Sequence, residues 1–158
     1  MNRLLNLCLL LIVIVSVPVV VFAGTPQPEI MGISLGMSRA DARSRLQSIG
    51  SLERETRKRQ EVWTIKDERI SHLLIGYDPD LRVRYVTAIA RTDGPRIRYE
   101  DVADVQSAQR EQNQGNYKLT WQIAARSGHS AYQLIAHGRD PRFLESYSVK
   151  KIDEKESK

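Results

Sequence analysis

Apolar residues recur along this chain in two periods, one typical of a short amphipathic helix and one typical of half-buried strands. Three of them share one side of a helix through their i, i+4, i+7 spacing: Ala42, Leu46 and Ile49. Ser38 precedes them as an N-cap, Asp41 stands three residues later as in a capping box, and Gly50 follows as a C′ residue. The pattern predicts a first helix between Ser38 and Gly50.

Three alternating segments in the first half of the chain predict strands. They cover residues 61–66, 72–78 and 82–91, and their inward residues are Trp63, Ile65, Leu73, Ile75, Tyr77, Val83 and Tyr85. Asp78-Pro79-Asp80-Leu81 joins the last two as a turn, because proline presets its backbone angle. The polar, basic stretch 51–60 predicts a loop or an irregular helix.

The second half repeats this order. Residues 99–112 predict a second helix, because Val102, Val105 and Gln109 have helical spacing, and residues 113–116 end it. Strands are predicted at 117–124, 131–138 and 142–150. In 117–124 the inward residues are Tyr117, Leu119, Trp121 and Ile123, whereas in 142–150 Glu145 is an exception to the inward pattern.

The two halves predict the fold class. Helix, strand, strand, strand occurs in pseudo-repeats 32–91 and 97–151, and short sequences match between them, such as "VWTI" at 62–65 and "TWQI" at 120–123. We therefore predict an α+β fold in which two helices pack on one face of an antiparallel β-sheet, as a tandem α-β-β-β repeat.

The ends of the chain predict export. Residues 1–23 combine Arg3, an apolar stretch and Val21-Phe22-Ala23, which is the pattern of a cleaved secretory signal peptide. A retained membrane anchor is the alternative, because about 20 apolar residues span a bilayer. A flexible arm at 24–29, a single domain at 30–151 and a charged tail at 152–158 complete the predicted organisation.

Cysteine usage refines the location. The only cysteine, Cys8, lies within the signal, so the mature chain has no disulfide, no thiol nucleophile and no lipidated cysteine at its start. The prediction is a periplasmic or secreted protein that is not lipidated.

The stretch "GISLGMSRADARSRL" at 32–46 resembles the start of the BamE (SmpA/OmlA) family of outer-membrane assembly lipoproteins. Members open with a Gly-Met-Ser/Thr turn into a short helix, here Gly36, Met37 and Ser38, and continue into an antiparallel sheet. The duplicated unit also resembles the β-lactamase inhibitor protein. The resemblance implies an assembly or inhibitor-type accessory role, although the family's lipidated cysteine is missing and Leu-Gly-Pro is replaced by Ile49-Gly50-Ser51.

Candidate chemistry is sparse. The three histidines, His72, His129 and His137, form no close ligand pair, so we predict no metal and no cofactor. No catalytic residue is assigned, because the acidic residues fall in turns and at a helix start, where they cap backbone groups. The alternative function is a small envelope-acting hydrolase, in which His129 or His137 would meet Asp140 within about 3.2 Å.

Charge excludes one class of partner. The net charge is +5, but acidic residues are interleaved throughout, unlike the basic stripe of nucleic-acid-binding proteins, so we predict no nucleic-acid partner. A basic run predicts, at most, weak contact with anionic lipid or cell-wall polymer: Arg54, Arg57, Lys58 and Arg59.

Aromatic and arginine side chains on the strands give the predicted binding residues. Trp, Tyr and Arg dominate protein interfaces. If one sheet face is open, we expect Trp121, Arg82, Arg84 and Tyr132 to contribute to it. The predicted function is an exported, non-enzymatic protein-binding module of the bacterial cell envelope whose partner is an envelope or secreted protein. A signal-anchored structural envelope protein is a further alternative.

The signal prediction is tested by the N-terminus of the exported protein. Full-length chain expressed with a C-terminal tag in a bacterial host should yield exported protein that begins at Gly24. N-terminal sequencing and intact mass measure this directly. Membrane-bound protein that retains residues 1–23 would instead support the anchor.

Overall fold

An eight-stranded antiparallel sheet is the central element of the computed structural model, which describes residues 28–56, 59–125 and 130–152. In chain order the elements are β1 (Glu29–Ile30), β2 (Ile33–Ser34), α1 (Arg39–Ile49), β3 (Gly50–Thr56), β4 (Gln60–Ile65), β5 (Ile70–Tyr77), β6 (Val83–Ala90), β7 (Ile97–Arg98), β8 (Gln109–Asn113), β9 (Asn116–Ile123), β10 (Tyr132–Gly138), β11 (Phe143–Leu144) and β12 (Ser146–Lys151). The predicted signal 1–23 and residues 153–158 of the tail lie outside the described residues.

The sheet consists of two meanders joined at its centre. Its order is β3-β4-β5-β6-β12-β10-β9-β8, so each half contributes four strands. The central pair is β6 and β12, in which Val86 is opposite Val149 and Thr87 is opposite Ser148. Both outer strands, β3 and β8, are therefore edges of the sheet.

The predicted pair of helices on the sheet is wrong. The described chain is mostly β and contains one α-helix, α1, so the tandem α-β-β-β arrangement does not hold. Residues 99–112 form two 3-10 turns, at Tyr99–Asp101 and Val105–Ser107, followed by β8. Two separate caps divide this segment into short turns: Asp101 accepts from the N–H of Arg98 as in a capping box, and Asp104, with an extended backbone, accepts from the N–H of Gln106 and begins a second turn.

Residues 113–116 form a hairpin turn and do not end a helix. Asn113 pairs with Asn116, and the two residues between them have positive φ, 47° at Gln114 and 80° at Gly115. A two-residue loop with positive φ at both positions is the type I′ turn that matches the twist of a β-hairpin. This turn directs residues 109–113 back along β9 as β8.

The first helix was predicted correctly. The hydroxyl of Ser38 accepts from the N–H of Asp41 at 3.1 Å, and Ala42 and Leu46 are fully buried. The 78–81 turn is also confirmed, because the Asp78 carboxylate accepts from the N–H groups of residues 80 and 82. The residues predicted to point inward in 61–66, 72–78 and 117–124 face the core, as their alternation predicted.

Residues 51–60 were predicted as a loop or helix, but residues 50–56 form the edge strand β3. The helix gives way to this strand directly at Gly50, whose φ of −169° is extended and not left-handed. The need for glycine is steric: a Cβ added here would lie 2.2 Å from the carbonyl oxygen of Thr64. Gly50 therefore allows the close approach of β3 and β4.

Two irregularities change the predicted sheet faces. A register shift lets Tyr77 pair with Val83 and Gly76 with Tyr85, so Val83 is buried in the core while Tyr85 covers Gly76 on the other face. The predicted strand 142–150 is interrupted at Glu145, which separates β11 from β12. This break explains why Glu145 does not fit the inward pattern that was predicted for the strand.

One face of the sheet is covered by three short segments. The β1–β2 hairpin places Ile30 and Ile33 against the centre, and α1 lies over the first meander. Residues 97–108 cover the second meander, where the indole N–H of Trp121 donates to the carbonyl of Asp104 at 2.8 Å. The apolar core lies between these segments and the sheet.

Because β3 and β4 approach each other closely at Gly50, any side chain at this position should lower the stability of the fold. Gly50→Ala should lower the free energy of unfolding by about 1–3 kcal/mol, because the methyl group overlaps the β4 backbone. Urea unfolding followed by circular dichroism measures the loss, with the exposed neighbour substitution Ser51→Ala as the control. Equal stability of the two variants would contradict this account.

Candidate binding face

All eight strands contribute side chains to the second face of the sheet, which we call the open face. No described segment outside the sheet packs against it. Strand register assigns its members on the six inner strands: Val62, Thr64, His72, Leu74, Tyr85, Thr87, Ile89, Lys118, Thr120, Gln122, Gln133, Ile135, His137, Ser146, Ser148 and Lys150. Most of these side chains are partly exposed, whereas Val62 and Thr120 are buried.

Hydroxyl groups mark the centre of the open face. The Oγ1 of Thr87 and the Oγ of Ser148 are 2.8 Å apart and form a hydrogen bond across the junction of the two meanders. Leu74 follows in the same row on one side and Ile135 on the other. In the central row, the hydrogen-bonded Thr87–Ser148 pair therefore lies between two partly exposed aliphatic side chains.

Ionisable side chains lie toward the two edge strands of the open face, and most of them have an ionisable neighbour. His72 Nε2 is 3.4 Å from Glu53, and Lys118 donates to Glu111 at 3.0 Å. Partial burial lowers the pKa of His137, and the nearby Lys118 ammonium lowers it further. His137 is therefore a neutral hydrogen-bonding group near pH 7.

Two of the four predicted binding residues lie in the core. Trp121 and Tyr132 are each 3% exposed and face the covered side of the sheet. Their strands are adjacent, with Tyr132 opposite Ile123 and Leu134 opposite Trp121. Truncation of Trp121 would act first on stability, because removing a buried tryptophan costs about 3–5 kcal/mol.

The two predicted binding arginines lie near the start of β6, away from those aromatics. Arg82 is exposed, donates to the carbonyl of Gly36 at 3.1 Å and forms a backbone bridge with Ser38. Arg84 is partly buried at the register shift beside Tyr85. The structure therefore does not bring the four predicted residues together on one surface.

A buried carboxylate that the sequence analysis missed lies beneath α1. Glu61 on β4 is 0% exposed. Its Oε1 accepts from Arg39 Nε at 2.7 Å and from Arg43 Nε at 2.8 Å. Its Oε2 accepts from Trp63 Nε1 at 2.9 Å and from the Tyr77 hydroxyl at 3.1 Å. Both carboxylate oxygens thus have two donors.

A second carboxylate completes this cluster at the surface. Glu55 on β3 pairs with Arg39 and with Arg43, the latter at 2.7 Å. The hydrogen bond from Arg39 is the main factor that lowers the pKa of Glu55. Burial raises the pKa of Tyr77 well above its usual value, and the Glu61 charge raises it further, so this phenol remains a donor.

Strongly perturbed groups often mark active sites, but this cluster is structural. Every acceptor of Glu61 is occupied by a donor of the fold, so no lone pair is directed toward a ligand. Its effect is to hold α1 on the sheet. The sequence contained a signal for it: Glu61 has the same parity as Trp63 and Ile65 in an alternating strand, and Arg39 and Arg43 are one helical turn apart.

The hydrolase alternative requires histidine to meet Asp140. His137 is exposed on the open face with Lys118 and Glu111 as its charged neighbours. Asp140 instead accepts from the N–H of Arg142 and lies 3.3 Å from Arg96. In the described part of the chain no hydrogen bond joins His137 to Asp140, and no three His, Cys, Asp or Glu side chains are grouped to hold a metal ion. His129 lies outside the described residues.

The predicted basic run is only partly described. Arg54 is exposed on β3, and Arg59 follows in the turn to β4 with a φ of 57°. Arg57 and Lys58 lie outside the described residues. Among the described residues, no helix has the length and apolarity needed to cross a membrane.

The Glu61 cluster predicts a large stability effect. Glu61→Gln should lower the free energy of unfolding by about 3 kcal/mol, because two arginines lose their shared charge and the amide nitrogen cannot accept a hydrogen bond. Glu55→Gln, at the exposed end of the same cluster, should give a clearly smaller loss. Urea midpoints measure both, and equal losses would show that burial of Glu61 is not decisive.

Comparisons with known proteins assign this chain to no group. It matches no protein-family model, no curated protein and no solved structure. The geometry of the open face is therefore the feature from which a function can be inferred.

Proposed function

We propose that this chain is an exported, non-enzymatic module of the bacterial cell envelope that binds a partner protein through the open face. The observation that carries the proposal is the one-sided covering of an eight-stranded sheet. Aliphatic side chains that would normally be buried remain partly exposed there, beside hydroxyl and amide groups that form hydrogen bonds readily.

The size of the open face suits a protein partner. Seven strand spacings of about 4.8 Å make the sheet about 34 Å wide, and three rows at about 6.8 Å give it a length of about 20 Å. The product is about 700 Å², close to the roughly 800 Å² that each partner contributes to a standard protein–protein interface. A small ligand would instead require a concave pocket that encloses most of its surface.

Export and accessory function rest on the sequence. The signal-like residues 1–23 support a location in the periplasm or outside the cell. The resemblance of residues 32–46 to the BamE family implies an assembly or inhibitor-type role for the complex. Arg82 and Arg84 lie at the start of the central strand β6, at one end of the sheet, and remain candidate rim contacts of such an interface.

The test is recovery of a partner from cross-linked cell envelopes by the tagged full-length protein. The double variant Leu74→Glu/Ile135→Glu places charges on both sides of the Thr87–Ser148 pair and should reduce recovery of a stoichiometric partner at least tenfold. Quantitative mass spectrometry of the retained proteins measures recovery.

The matched control uses leucines outside the open face. Leu52→Glu/Leu81→Glu changes two side chains that are 43% and 42% exposed and carries the same added charge. It should leave recovery unchanged. Equal loss in both double variants, or no loss in either while thermal unfolding is normal, would contradict binding at the open face.

A further inference from the structure

The outermost strand β8 has backbone groups on its outer side that pair with no other part of the chain that the structure describes. All five of its side chains are exposed. Asn113 and Asn116 form the hydrogen-bonded pair beside the two-residue turn, so residues 109, 111 and 113 direct their backbone groups to β9. The alternation then directs the N–H and C=O groups of Arg110 and Gln112 away from the sheet.

The opposite edge, β3, is protected in ways that β8 is not. A bulge between Leu52 and Arg54 breaks the regular register of β3. The Glu55 side chain on the same strand is held by arginines of α1. Bulges and inward charges are devices that block strand addition. The pairing of β8 with β9 has no register shift, and β8 contains no proline.

Charge on β8 indicates the chemistry of a strand that would pair with it. Glu111 forms an exposed ion pair with Lys118 at 3.0 Å. Arg110 donates to the carbonyl of Val105 at 3.2 Å, but no described carboxylate forms an ion pair with it. A carboxylate directly opposite Arg110 on an added strand would supply that missing charge.

A second copy of this chain does not fit the same edge well. In a two-fold antiparallel pairing of β8 with itself, one residue must lie opposite its own copy. If the two-fold axis passes through residue 110, Arg110 lies opposite Arg110 of the second copy, and if it passes through residue 111, Glu111 lies opposite Glu111. Like charges directly opposite each other are unfavourable. If the axis passes through residue 112, Arg110 lies opposite the neutral Gln114. None of these positions of the axis pairs Arg110 with an acidic residue.

We propose that β8 binds an extended segment of a partner protein as a ninth antiparallel strand, with an Asp or Glu of that segment opposite Arg110. The backbone groups of Arg110 and Gln112 supply the hydrogen bonds, and the Arg110 guanidinium supplies the selectivity. The inference rests on the proposed function of protein binding and names a mode of binding at a second surface, the edge of the sheet.

The probe is a synthetic peptide, acetyl-Thr-Val-Thr-Glu-Thr-Val-Thr-amide, titrated into ¹⁵N-labelled full-length protein. Two matched peptides carry Lys or N-methyl-Glu in place of the central Glu. The Glu peptide should slow amide exchange at Arg110 and Gln112 and bind about threefold more tightly than the Lys peptide, as expected for one exposed ion pair. The N-methyl peptide should not bind, because it lacks the central donor.

Variants separate the backbone from the charge. Gln112→Pro removes an outward N–H without removing a β8–β9 hydrogen bond, so peptide binding should be lost while Gln112→Ala retains it. Arg110→Ala leaves the backbone intact, and should make the Glu and Lys peptides bind equally. The β9 amide signals report whether the proline variant keeps its hairpin.

Three results would overturn the inference. They are shift changes confined to the open face, no change in β8 up to millimolar peptide, and concentration-dependent protection of β8 without peptide, which would indicate a second copy. The peptide titration follows β8 amides and the envelope experiment follows Leu74 and Ile135, so failure of the strand-addition inference and failure of the proposed function are distinguishable.

Discussion

The position of the only described helix depends on one buried carboxylate. Glu61 accepts hydrogen bonds from Arg39, Arg43, Trp63 and Tyr77, so a helix and two strands are fixed by four donors to two oxygen atoms. A buried carboxylate that loses a partner costs several kcal/mol. The rotation of α1 about its axis is therefore determined by charge as well as by the burial of its apolar side.

The helix held in this way lies on the same face of the sheet as the other covering segments. The helix, the β1–β2 hairpin and residues 97–108 all lie on one side, and together they contain most of the apolar residues outside the sheet that enter the core. The other side keeps a mixture of hydroxyl, amide and aliphatic groups. The asymmetry links the stability of the fold to a broad surface suited to a protein partner.

The two edges of the sheet differ for a related reason. The first meander follows a helix that needs a charged partner, and its edge strand β3 supplies Glu55 to that helix. The second meander follows two 3-10 turns, so its edge strand β8 has no such function and stays exposed. Similar four-stranded meanders thus end in edges with different chemistry.

Local sequence determined the elements in which the spacing of apolar residues and the capping residues favour the same secondary structure. The Ser38 cap, the Ala42–Leu46 side of α1 and the alternating strands around Trp63 and Trp121 follow from spacing alone. Tertiary structure decided the rest. Residues 99–112 have helical spacing, yet the extended backbone at Asp104 divides them into two turns, and pairing with β9 makes residues 109–113 a strand. The Glu61 cluster and the open face depend on strand register, which joins residues far apart in sequence and is shifted by bulges.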